Sequence, residues 1–256
     1  MTDPGVEKPS VSELEDWIRR VAEDLPRDEF VVPEGRAKDF LLLYGFCQQA
    51  SRFASSYVLL SNQGFQREAA ALARCSFEHA VTAHWAYFTE GGMERLGIDL
   101  NRKFRGYYLA MSTYLDNDQL RDEAEAHRSP DGSGLPKFTE MMWDLDSNGF
   151  LRTSYQNLSL SVHPSHLTVS SYLEDTDSGT QLRHEPRDGV QYPTLYTTAI
   201  AAMLAYSLML YIADPATAKV LVEEPSNHLR LPPFLHDALP DAKRRVFTHS
   251  ETGAAA

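Results

Sequence analysis

Arg74 and Glu78 stand four residues apart inside AAALARCSFEHAVTAHWAYF, residues 69–88, a stretch that is otherwise apolar nearly all round. That spacing puts a guanidinium and a carboxylate on one helical face, flanked by Ala70, Ala71, Phe77, Val81 and Trp85. Charges in such a helix are costly unless paired, so the two are expected to face each other or a polar pocket. A second set lies in TSYQNLSLSVHPSHLTVSSYL, residues 153–173, which has no Lys, Arg, Asp or Glu. Tyr155, Ser159 and His163 are spaced four and four, again one helical face, and Pro164 ends or kinks the helix there. The chemistry open to these residues is acid–base. His163 or His79 can take and return a proton near neutral pH, and Arg74 can hold an anion such as a phosphate or a carboxylate. Glu78 would orient Arg74 or His163, and Tyr155 and Ser159 would supply hydrogen bonds. A nucleophilic role for Ser159 lacks the strained elbow motif that activates a serine. The bland alternative is a buried hydroxyl-rich helix bonded back to its own backbone.

These residues need helices to carry them, and the sequence is helix after helix. Val11, Leu14, Ile18, Val21 and Leu25 recur at three and four, with Ser12 and Glu15 read as a capping box. A second helix is expected over 36–61, a third over 66–89 and a fourth over 99–127. Ser129 to Pro136 reads as a loop. A short helix near 138–145 follows, then a long one over 150–173. The segment 189–213 is free of charge and long enough for a membrane span. Its Thr, Ser, Tyr and Ala content and its lack of a flanking basic cluster favour a central buried helix instead. A short helix over 216–222 closes the series, and the prolines from Pro225 onward argue against a further regular element. The fold class is therefore all-α: a single-domain bundle of about six to seven helices, with a small β-hairpin near 179–192. The organisation reads as an N-terminal helix and linker over 1–34, a bundle core over 35–222, and a proline-containing, partly disordered tail over 223–256, its last ten or so residues disordered.

Composition narrows the function classes. The net charge of −12 keeps such a chain soluble and repels nucleic-acid backbones at long range, which argues against general DNA binding while leaving room for a local basic pocket. The two cysteines, Cys47 and Cys75, sit in apolar helical stretches and read as small buried residues in a reducing cytoplasm. No basic and apolar leader opens MTDPGVEKPS. Phosphate-binding glycine loops, HExxH, GxSxG and ExxH are all absent. His163 and His166 lie within one turn, but Pro164 distorts that turn and no second ligand pair is evident. The expectation is a cytoplasmic protein with no cofactor and no metal.

The pair RxxxE in an alanine-rich helix, followed far downstream by YxxLSxxVHPS, resembles a family of uncharacterised bacterial all-helical proteins. Here the motif residues are Arg74 and Glu78, then Tyr155, Leu158, Ser159, Val162, His163, Pro164 and Ser165. The resemblance spans roughly residues 35 to 215. That family is similar, at a distance, to HEPN-type helical domains, including abortive-infection proteins, many of which cleave RNA without metal. In that wider group an Arg and a His four to six residues further on form the active site, and Arg74 with His79 is the pair of that spacing lying in a core-like helix. The resemblance implies a toxin or phage-defence effector, RNA or a nucleotide as partner, and a homodimer through a helical face. The competing expectation is a non-catalytic interaction protein whose Arg/Glu/His cluster is a buried structural network.

Overall fold

A computed structural model describes residues 8–26, 29–129, 131–146, 148–186 and 192–247. It is mostly helical, as the periodicity requires, with ten α-helices and one two-stranded hairpin among the described residues. The helices are α1 (Val11–Asp24), α2 (Ala37–Asn62), α3 (Gln66–Phe88), α4 (Gly92–Leu115) and α5 (Asp118–Ala126). Then come α6 (Phe138–Leu145), α7 (Phe150–Val162), α8 (His166–Ser171), α9 (Tyr192–Ala213) and α10 (Pro215–Leu229).

The excess over six to seven helices has local causes. Asp116 adopts a left-handed φ of 48°, and Asn117 caps a new helix by accepting the Gln119 N–H, so the stretch expected over 99–127 splits into α4 and α5. Its start also moves. Gly91, at φ 66°, is the N-cap of α4 instead of a stop for a distant neighbour. A Cβ on Gly92 would collide with the Ala86 carbonyl oxygen, so glycine is required where α3 hands over to α4. The stretch over 150–173 divides at Pro164 into α7 and α8, and Ser165 caps α8. The hairpin lies earlier than expected: β1 (Leu173–Thr176) pairs antiparallel with β2 (Gly179–Leu182), Leu173 opposite Leu182 and Thr176 opposite Gly179. Gly179 takes φ 115° at the turn, and residues 187–191 of the expected range lie outside the described residues. The capping box of α1 is Ser10 with Glu13, not Ser12 with Glu15. The last helix runs through Pro225 to Leu229, because Val222, Pro225 and Leu229 are all buried on one face and their packing offsets the missing backbone bond. The chain beyond it stays packed, with Leu231, Leu235 and Leu239 buried and Phe247 against Tyr87. The residues read as disordered, 248–256, lie outside the described ones.

α9 is the centre of the fold. It is apolar on every face and long enough to cross a membrane, yet it is enclosed by α1, α2, α3 and α10, with Ala199, Ala201, Ala202 and Ala205 wholly buried. Small residues on the facing helices, Ala50 and Ala54 on α2 and Ala73, Ala80 and Ala83 on α3, match them and let the backbones approach closely. α3 therefore has one side committed to α2 and α9. Its other side meets α6 and α7. Arg74 and Glu78 sit on that second side.

Candidate functional site

Residues 67, 74 and 78 of α3 form a stripe that faces α7 and α8, and each bonds across to them. Arg74 Nε donates to Glu78 Oε1 at 2.8 Å, the four-residue pair read from the sequence. Arg74 Nη2 donates to the Tyr155 hydroxyl at 2.8 Å, and that hydroxyl donates to Glu78 Oε1 at 3.1 Å, closing a triangle. Arg74 Nη1 reaches His163 Nε2 at 2.6 Å. A guanidinium only donates, so Nε2 carries the lone pair and His163 is neutral with its proton on Nδ1. Two turns back along α3, Arg67 Nη2 donates to the Thr168 hydroxyl of α8 at 2.7 Å.

Local sequence explains the placement. α7 ends at Val162, and His163 is its C-cap, with ψ 153°, because Pro164 disallows a further helical residue before it. That extended residue leaves the helix track and reaches across to Arg74, while its N–H still closes the last turn onto the Ser159 carbonyl at 3.0 Å. Tyr155 is fixed by its ring, 4.8 Å from that of Phe138, and by the Arg74 guanidinium lying 5.0 Å over its face.

Electrostatics follows the geometry. Burial works against the Arg74 charge, but the bond and charge of Glu78 more than offset it, so the guanidinium is held charged above the ordinary arginine range. The Tyr155 hydroxyl is pushed up, first by burial and then by the Glu78 carboxylate, and stays protonated as the donor to Glu78. The Arg74 side chain is 19% exposed and that of Glu78 34%, so the cluster is sheltered yet reachable; His163 is exposed.

Of the six candidate residues, four meet: Arg74, Glu78, Tyr155 and His163. Ser159 lies on α7 with Tyr155, but its hydroxyl makes no bond to the cluster among the described residues. His79 points elsewhere. Five positions from Arg74 is about 140° round a helix, and its Nδ1 donates to the Cys75 carbonyl at 2.7 Å while its ring lies between Phe46 and Phe53. The Arg74–His79 spacing thus makes no contact pair, and the imidazole that reaches Arg74 comes from α7.

His79 does open onto something. A cleft of about 450 Å³ lies beside the cluster, with Glu78 and His79 on one wall, Asp99 and Lys103 of α4 on another, and Phe46 and Phe138 as aromatic surfaces. Glu78 is common to cleft and cluster. Sequence reasoning missed Arg67, though it sits seven residues before Arg74 on the same face, which was the available signal. Asp99, Phe46 and Phe138 come from three different helices, and no local spacing marks them.

The fold and site define a class: an all-α bundle with a tyrosine–glutamate–arginine–histidine cluster between two of its helices and a cleft alongside. Residues 40–181 match a family of unknown function, DUF5677, over more than half of the chain, and the chain belongs to that family. The matched segment runs from α2 to the hairpin and contains all four cluster residues. No curated protein and no solved structure matches the chain.

Proposed function

We propose that this protein is a HEPN-like helical effector of the toxin or phage-defence type that cleaves RNA without a metal, using Arg74 and His163. The observation that carries this reading is the 2.6 Å contact between a charged guanidinium and the unprotonated Nε2 of an exposed imidazole. Metal-independent cleavage of RNA needs two things: a base for the 2′-hydroxyl, and a cation for the charge that grows on the phosphate oxygens. A phosphate entering the site takes over Arg74 Nη1 and releases His163 Nε2. Nε2 then accepts the 2′-hydroxyl proton while the 2′-oxygen bonds to phosphorus. The bond from phosphorus to the 5′-oxygen breaks, that oxygen takes the proton back from His163, and a 2′,3′-cyclic phosphate remains. Glu78 and Tyr155 keep Arg74 charged and aimed throughout.

The test is RNA degradation by the purified protein in the presence of a chelator. Arg74→Ala and His163→Ala are each expected to abolish it while leaving the fold intact by circular dichroism. One observation favours the second reading, a non-catalytic interaction protein: Nε, Nη1 and Nη2 of Arg74 are each committed to a partner within the chain. Wild-type protein that leaves RNA untouched, with both variants clearly less stable, would decide for that reading.

A further inference from the structure

We propose that the cleft between α2, α3, α4 and α6 is a base-binding subsite selective for guanine; this rests on the RNA-cleaving reading of the adjacent cluster. Two carboxylates, Glu78 and Asp99, dominate the polar lining of the cleft, with His79, Thr82 and the Lys103 ammonium beside them. Glu78 Oε1 is occupied by Arg74 and Tyr155, whereas Oε2 takes no hydrogen bond from the described residues. Asp99 Oδ2 is paired with Lys103 at 2.8 Å, and Oδ1 takes no hydrogen bond from the described residues. A carbonyl can only accept, so His79 Nδ1 carries the proton that goes to Cys75, and in the neutral ring Nε2 is the acceptor. Two carboxylates and a ring nitrogen around one cleft select a ligand that presents adjacent N–H donors, and Lys103, with ammonium hydrogens beyond the one given to Asp99, can meet a carbonyl beside them. Among the four RNA bases only guanine does so, with N1–H beside the N2 amino group. Adenine and cytosine each place a ring acceptor next to their amino group, and uracil flanks its single N–H with two carbonyls. Each would set a ring nitrogen or a carbonyl against one of the carboxylates.

Shape agrees with the polarity. Phe46 and Phe138 line the cleft, and base–aromatic stacking supplies much of the affinity of single-stranded RNA sites. A volume of about 450 Å³ admits a nucleoside. The position agrees as well. Glu78 lies at 2.8 Å from Arg74, and Phe138 packs at 4.8 Å against Tyr155, so a base in the cleft leaves its 3′-phosphate beside the cluster.

Titration calorimetry on the full chain, with guanosine and with the 3′-monophosphates of all four nucleosides, tests this. Guanosine 3′-monophosphate is expected to bind at least about ten-fold more tightly than the other three. Leu135→Trp, on the loop that walls the cleft, should fill it and abolish guanosine binding; Asp99→Asn, which replaces one acceptor oxygen with a donor, should weaken it several-fold. Thermal melting of both variants reports whether the fold survives. Guanosine carries no phosphate, so its binding reads the subsite apart from the chemistry. If guanosine binds in the Leu135-dependent way but RNA is not cut, the subsite stands and the ribonuclease reading falls. If RNA is cut without preference for guanine and guanosine does not bind, the subsite falls and the ribonuclease reading stands. Equal binding of all four monophosphates, or a Leu135→Trp variant that binds guanosine as wild type does, overturns the proposal.

Discussion

α3 carries a polar system on each of its two sides, and the two obey different rules. Toward α2 and α9, Ser76 donates to the Ala50 carbonyl at 2.8 Å and His84 Nε2 donates to the Leu204 carbonyl at 2.8 Å. Both side chains are wholly buried, and each bonds to the backbone of a neighbouring helix. Toward α7, Arg74, Glu78, Tyr155 and His163 bond one another, and the histidine end is open to water. On the dry side a polar group pins one helix to another and nothing can reach it. On the wet side the polar groups hold each other in place of a ligand, and a ligand can displace one of them. Burial alone therefore does not separate structure from chemistry here; the kind of partner does.

The comparison breaks most sharply if the wet side proves inert. Removing an oriented cation that meets transition-state charge costs about 10²–10³ in rate. Arg74→Ala is expected to lose that much RNA cleavage, against no more than a few degrees of melting temperature. An inert wild type makes both sides of α3 structural.

On the dry side the large effect is acid lability. Burial drives the His84 pKa from 6.5 down to about 3, with the Leu204 carbonyl opposing the shift and His236 adding to it. The folded state thus refuses a proton that the unfolded chain accepts below about pH 6.5. Stability contributed by the neutral, buried His84 is whole above that pH and falls as the medium is acidified toward pH 3, by up to about 1.4 kcal/mol per pH unit. Among the described residues His84 Nδ1 is buried without a partner, so no acceptor there rescues the charged form. Urea denaturation at pH 7, 6 and 5 checks this. His84→Gln, which keeps an N–H for Leu204, should flatten the dependence. An unchanged slope would assign the acid sensitivity to other groups.

Much of this contrast was legible before any coordinates. Arg74 and Glu78 share a helical face by spacing alone, and the charge-free, hydroxyl-rich stretch over 153–173 was the natural partner for a charged pair that had to be satisfied. The buried fate of 192–213 followed from its alanine and hydroxyl content. What the sequence hid were conformations set by single residues and surfaces assembled from distant ones. Nothing in the apolar period of 99–127 announced the left-handed Asp116, and the helix through Pro225 depends on burial that only the packed fold supplies. His79 had the right spacing to pair with Arg74 but the wrong helical angle, whereas His163, 89 residues away, had the right reach. The cleft draws on α2, α3, α4, α6 and the loop before α6, so no one segment carries its signature.

A smaller effect sharpens the account of the wet side. Glu78→Ala strands the Arg74 guanidinium between a tyrosine hydroxyl and an imidazole with no counter-charge. Arg74→Ala/Glu78→Ala removes both charges. The single change is expected to be the more destabilising by about 1 kcal/mol, modest because both side chains are partly exposed. A double-mutant cycle in urea measures the difference. A double variant less stable than the Glu78 single would show that Arg74 contributes through its contacts with Tyr155 and His163 even when its carboxylate is gone.

The smallest expected effect is that of Tyr155→Phe, and it separates the hydroxyl from the ring. Phenylalanine keeps the packing on Phe138 and the face that lies under Arg74, with centroid distances of 4.8 and 5.0 Å. It deletes one acceptor for Arg74 and one donor to Glu78. Loss of those two bonds should cost about 0.5 kcal/mol of stability, the low end for a hydrogen bond, because water replaces them at a partly exposed site. Glu78 and His163 still hold two of the three guanidinium nitrogens, so RNA cleavage should fall by less than for Arg74→Ala or His163→Ala. If Tyr155→Phe instead abolishes cleavage and leaves stability unchanged, the hydroxyl itself takes part in proton transfer. The 5′-oxygen would then receive its proton from Tyr155, with His163 serving only as the base.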